Sequence, residues 1–121
     1  MSMTERVWKK VYRIDAHTRR DGKCCYCRTP VPLSEVTAEH RTPRKLGGRT
    51  TRENIDAACS PCNNARRHLT RAEFMRAIHE PDYRRDPWPL YEACMLIRLR
   101  LRTAAACRRL RLIVEPRVAA R

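Results

Sequence analysis

Two Cys-x-x-Cys pairs constrain this chain more than any other feature. Cys24 and Cys27 form the first, Cys59 and Cys62 the second. A two-residue gap lets both thiolates of a tight turn face one tetrahedral cation. Two such pairs in 121 residues predict a four-cysteine zinc site. Four sulfurs close the coordination shell and leave no position for water, so the zinc is expected to be structural. Such sites supply about 10–16 kcal/mol of apparent binding free energy in small peptides. That matters for a chain long enough for one domain with a modest core. Cys25 offers a C-x-C alternative to Cys24, with poorer geometry. Cys94 and Cys107 stand alone in an apolar stretch and read as small buried hydrophobes.

The setting of these cysteines argues against a disulfide framework. Residues 1–10 hold no apolar core of signal-peptide length, so the cysteines are expected to stay reduced in the cytoplasm. The apolar run in the C-terminal stretch, residues 93–97, is far too short for a membrane span. The charge is strongly one-sided. Lys and Arg number 27 against 13 acids, a net +14, and 23 of the 27 are arginine. A field of that sign on a small domain attracts polyanions, with DNA or RNA ahead of an anionic membrane surface. The arginine bias suggests a GC-rich bacterial or phage source.

Periodicity supplies the elements. Residues 4–19 read as a helix with Thr4 as N-cap and an apolar stripe of Val7, Val11 and Ile14 beside Trp8 and Tyr12. Asp21-Gly22 turns the chain into the first cysteine pair. Thr29-Pro30-Val31-Pro32 excludes helix. Residues 36–40 and 54–58 read as short strands joined by a basic loop over 41–52 that contains Gly47-Gly48. A short helix is expected over 63–68. Thr70-Arg71-Ala72-Glu73 is a capping box and predicts a helix to His79. Residues 81–89 break it. A long basic helix should follow from Leu90 to about Val114, with Pro116 marking its end. Its Leu90, Ala93, Cys94, Ile97, Leu101 and Ala104 or Ala105 suit one face. Its arginines at 98, 100, 102, 108, 109 and 111 suit either a solvated face, a track along DNA, or a rim around a docking surface.

Thirty-one residues separate Cys27 from Cys59, more than a zinc ribbon needs. That insertion holds Glu39-His40, Pro43, Gly47-Gly48 and Asn54, and Asn63 follows the last cysteine directly. In this order and spacing, over roughly residues 11–76, the chain resembles the HNH endonucleases that carry two zinc knuckles. The resemblance implies an α+β fold: a small ββα-metal core with the four-cysteine zinc site, flanked by N- and C-terminal helices. The expected organisation is a nuclease domain with its N-terminal helix over residues 1–80. A basic, mostly helical extension over 81–121 would be packed on it or appended to it.

The resemblance also implies roles. His40 would be the general base, since neutral imidazole can take a proton from water near neutral pH. Glu39 and Asn63 would hold one catalytic Mg²⁺ or Mn²⁺, hard cations that favour oxygen ligands. Asn54 would hold the loop and orient His40. Arg66 and Arg67, with Arg41, Arg44, Lys45 and Arg49 of the basic loop, would contact nucleic acid. The chain departs from many members in having Glu39 for Asp and Asn63 for His. His68 lies about 140° around a helix from Asn63 and is a weak additional ligand candidate. The implied activity is metal-dependent hydrolysis of DNA phosphodiesters, by a monomer, a homodimer or part of a larger DNA-processing complex. A zinc-stabilised binding module that does not cut, or an accessory protein of such a complex, is the alternative.

Overall fold

The computed structural model of the chain describes residues 1–67 and 69–114, with side chains as far as residue 110. His68, the Arg111 side chain and Pro116 therefore lie outside the described residues. The fold is α+β. Helix α1 (Met3–Arg19) leads through the first knuckle to β1 (Val36–His40). A loop with a 3₁₀ turn at Arg44–Leu46 returns the chain as β2 (Ile55–Cys59). Helices α2 (Ser60–Arg66), α3 (Arg71–His79) and α4 (Trp88–Val114) follow.

The two strands pair antiparallel, Val36 against Cys59 and His40 against Ile55. Strand β2 is buried at every position, because α1 lies on the hairpin and the knuckles close around it. It begins one residue later than its sequence suggests. Asn54 is held by the loop, its backbone N–H donating to the carbonyl of Thr51. Helix α2 starts three residues earlier than expected, at the second knuckle. Pro61 sits in its first turn, where a missing N–H costs no helical bond.

Helix α1 corrects two expectations. Ser2, not Thr4, is the N-cap, its hydroxyl accepting from the Glu5 N–H at 3.1 Å. The stripe of Val7, Val11 and Ile14 faces outward, each residue 44–55% exposed, and Trp8 stacks on Tyr12 beside it. Only Ala16 is fully buried on this helix. The reason lies in what the hairpin presents to α1. Its neighbouring groups are carbonyls and a buried carboxylate, so guanidiniums make the contact. Arg13 donates to the Leu33 and Val36 carbonyls, Arg19 to those of Arg52 and Ile55, and Arg20 to Asp56.

The core joins Tyr26, Val31, Val36, Ala57, Ala58 and Phe74 to the cysteines, with Tyr26 and Phe74 packed edge to face at 5.0 Å. The capping box of α3 forms as predicted: Thr70 Oγ1 accepts from the Glu73 N–H, and the Glu73 carboxylate accepts from the Thr70 N–H. Helix α4 packs on α2 and α3 through Cys94, Ile97 and Leu101. Leu90 and Ala93 are exposed instead, as is Cys107, expected to be buried like Cys94. Ala93 and Cys107 border open clefts beside α2 rather than the closed contact.

Candidate active site

The four cysteines that spacing selects converge. Sulfurs of Cys24, Cys27, Cys59 and Cys62 all lie within 4.8 Å of one another, with Cys27 and Cys59 at 3.8 Å. A tetrahedron with zinc–sulfur bonds of about 2.3 Å has edges of about 3.8 Å. Cys25 stands outside this cluster, its backbone N–H donating to the Ala57 carbonyl, which settles the choice between Cys24 and Cys25. Hydrogen bonding from Cys25 and the other three thiols holds the Cys24 thiol far below its ordinary range. Hydrogen bonding with Cys24 and Cys27 pushes the Cys59 and Cys62 thiols the other way. Two histidines brace the first knuckle. The ring nitrogens Nε2 of His17 and His79 donate to the Val31 and Tyr26 carbonyls, each at 2.7 Å.

The four-cysteine frame anchors one end of β2 and the start of α2, and so fixes how the hairpin meets that helix. Between them lies a cavity of about 300 Å³ lined by Ala38, Glu39, His40, Pro43, Arg44, Asn63, Arg66 and Arg67. Glu39, His40 and Asn63, selected from the motif, thus share one cavity. Glu39 is 7% exposed. Its Oε1 accepts from Arg66 Nη1 at 2.9 Å, while Oε2 is buried without a hydrogen-bond partner. Burial raises its carboxyl above the ordinary value, against the pull of Arg66. An orphaned carboxylate oxygen beside a neutral amide is a donor set suited to a hard divalent cation. The Asn63 side chain donates from Nδ2 to Thr37 Oγ1 at 3.2 Å, which fixes the amide on β1.

His40 ends β1. Burial lowers its pKa from the ordinary imidazole value, with Lys9 and Arg44 adding to the effect and Glu5 opposing it. The ring is therefore neutral near neutral pH. Its Nε2 meets Thr50 Oγ1 at 3.1 Å. Asn54 does not reach the ring. Its amide accepts from the Thr42 N–H and donates to the Thr42 and Arg49 carbonyls, tying both ends of the loop that follows His40. Gly47 adopts φ +86° to leave the 3₁₀ turn, and Gly48 lies so close to Thr42 that a Cβ would stand 1.7 Å from its carbonyl oxygen. Both glycines serve the loop's own folding.

The expected nucleic-acid contacts divide. Arg44 and Arg67 line the cavity and are exposed. Arg67 caps the end of α2 with a positive φ of +44°. Lys45 and Arg49 are exposed on the loop. Arg41 is paired with Asp56 at 3.0 Å. Arg66 points inward. It is 3% exposed and donates to Tyr26 Oη, Glu39 Oε1 and the carbonyls of His40, Arg41 and Leu69, so at the cavity wall most of its donors are already engaged. Asp56, completely buried, was missed by sequence reasoning. It gathers Arg20, Arg41 and Arg71 from three separate segments.

Comparison with known proteins agrees with this geometry. A family model described as HNH endonuclease matches residues 24–79. Over 57 residues, 46% of this chain, the sequence is 35% identical to a CRISPR-associated endonuclease Cas9 of Corynebacterium diphtheriae. The chain spans only 5% of that relative's length. The matched segment runs from the first zinc-site cysteine to the end of α3. Residues 24–79 of this chain are thus similar to the HNH endonuclease family.

Proposed function

We propose that the protein is a metal-dependent endonuclease that hydrolyses DNA phosphodiester bonds at the cavity between the hairpin and α2. The observation that carries this reading is the single cavity shared by Glu39, with its orphaned Oε2, the neutral His40 and Asn63. Glu39 and Asn63 would hold the catalytic Mg²⁺ or Mn²⁺, which when bound stabilises charge on the phosphoryl and departing oxygens. The residues of the chain do the rest. His40 removes a proton from the water that attacks phosphorus. Arg44 and Arg67 hold non-bridging phosphate oxygens at the cavity edge. Arg66, bonded inside, keeps the Glu39 carboxylate in one orientation. The net charge of +14 draws DNA to the site. The zinc at the four cysteines is structural.

The test is cleavage of supercoiled plasmid by zinc-loaded protein, with Mg²⁺ or Mn²⁺ added and with neither. Nicking or linearisation that requires the added cation is expected. DNA binding without cleavage under every cation would instead establish a zinc-stabilised binding module.

A further inference from the structure

The imidazole of the proposed base is held from outside the matched segment. Thr50, in the loop between β1 and β2, stands between His40 Nε2 at 3.1 Å and Glu5 Oε1 at 2.9 Å. Glu5 comes from α1, 45 residues away in sequence from Thr50. Its carboxylate is also paired with Arg44 at 2.8 Å, which favours its ionised form. An ionised carboxylate only accepts hydrogen bonds, and a hydroxyl has one proton to donate. The Thr50 proton therefore goes to Glu5, so Thr50 Oγ1 meets the ring as an acceptor. The proton on the neutral imidazole must then be on Nε2, and the lone pair on Nδ1.

We propose that Glu5 and Thr50 are a positioning pair that fixes His40 as the Nε2–H tautomer and leaves Nδ1 as the nitrogen that takes the proton from water. The proposal rests on the reading of His40 as general base. No proton passes along the pair. Water's proton moves to Nδ1, the Nε2–H stays on the ring, and the Thr50 hydroxyl keeps its own. Which nitrogen reacts is decided by the hydrogen bond made by the other one. By this arrangement α1 is a working part of the site: its removal would free the hydroxyl to donate to Nε2 and move the ring proton to Nδ1.

The test is nitrogen-15 and proton NMR of the imidazoles in the zinc-loaded full chain at mildly alkaline pH, with His40 assigned by loss of its signals in His40→Gln. Wild type should show nitrogen shifts of an Nε2–H ring and a resolved, exchange-protected Nε2–H proton. Thr50→Val should lose that protected proton and Thr50→Ser should keep it. Glu5→Gln, a change on the partly exposed side of α1, supplies a second variant should Thr50→Val fail to fold, and should mix the two tautomers. Single-turnover cleavage should fall about tenfold in Thr50→Val, with little change in DNA affinity, and recover in Thr50→Ser. An Nδ1–H ring in wild type, or a protected Nε2–H that survives Thr50→Val, overturns the pair. If the NMR signature appears but wild type never cuts DNA, the nuclease reading fails and the pair stands. If wild type cuts with an Nδ1–H ring, the pair fails and the nuclease reading stands.

Discussion

Glu39 and Asp56 face each other across the hairpin, and burial treats them differently. Glu39 has one guanidinium and a bare oxygen, and its carboxyl is raised by desolvation. Burial would raise Asp56 too, but the Arg20 hydrogen bond, the Ala57 N–H and the nearby positive charges bring it below its ordinary value. One carboxylate is left wanting a cation, and the other is satisfied and structural. Asp56→Asn should cost about 3 kcal/mol in denaturant unfolding, since it strands three guanidiniums around an uncharged amide. Because the folded Asp56 is depressed, its contribution is complete above the unfolded carboxylate's value and is lost as pH falls through the lower folded one. The stability gap between wild type and Asp56→Asn should therefore close as the solution is acidified. Glu39 and His40 were legible in the sequence because they are adjacent and belong to a motif. Asp56, Thr50 and Glu5 were not, because their partners arrive from 10 to 45 residues away and no local pattern marks them. Arg66 was legible as a position, but its bonds to Tyr26, Glu39 and the His40 and Arg41 carbonyls join distant segments that no local pattern marks.

Elements with a local cause were readable. The capping box placed the start of α3, two short segments flanking a glycine-containing loop gave the hairpin, and the proline in its first turn accounts for α2 starting at the knuckle. Thr70→Ala should lower stability by about 1 kcal/mol in the same unfolding measurement, the usual worth of such a cap. The facing of α1 was not readable, because hydropathy alone assigns an apolar stripe to a core. Here the hairpin offers carbonyls and a carboxylate, which only arginines can satisfy, and the stripe is turned outward. Loop 41–52 shows the same limit. Its paired glycines mark a tight turn or a close approach without saying to what, and Gly48 closely approaches the chain's own Thr42. Gly48→Ala should slow DNA cleavage and leave zinc content unchanged, because the loop it distorts carries Thr50 and Arg44 but no cysteine.

At the scale of the molecule, one four-cysteine cluster ties the knuckle after α1 to the junction of β2 and α2. The described residues contain no helix long and apolar enough to cross a membrane. The core around the cysteines is small, so zinc bound there is expected to supply a large share of the stability. Cys62→Ser, or prolonged chelation, should remove the zinc and with it the cooperative unfolding transition followed by circular dichroism. Cys25→Ala should keep its zinc. The fold exists, in this account, to hold His40 beside Glu39 and Asn63 in one cavity under a positive field. The most direct measurement is single-turnover cleavage of duplex DNA by zinc-loaded His40→Ala and wild type, both verified as folded, in Mg²⁺ or Mn²⁺. The account predicts a loss of about 10²–10⁴-fold for the variant, the usual worth of a general base. Cleavage by His40→Ala at the wild-type rate would contradict it.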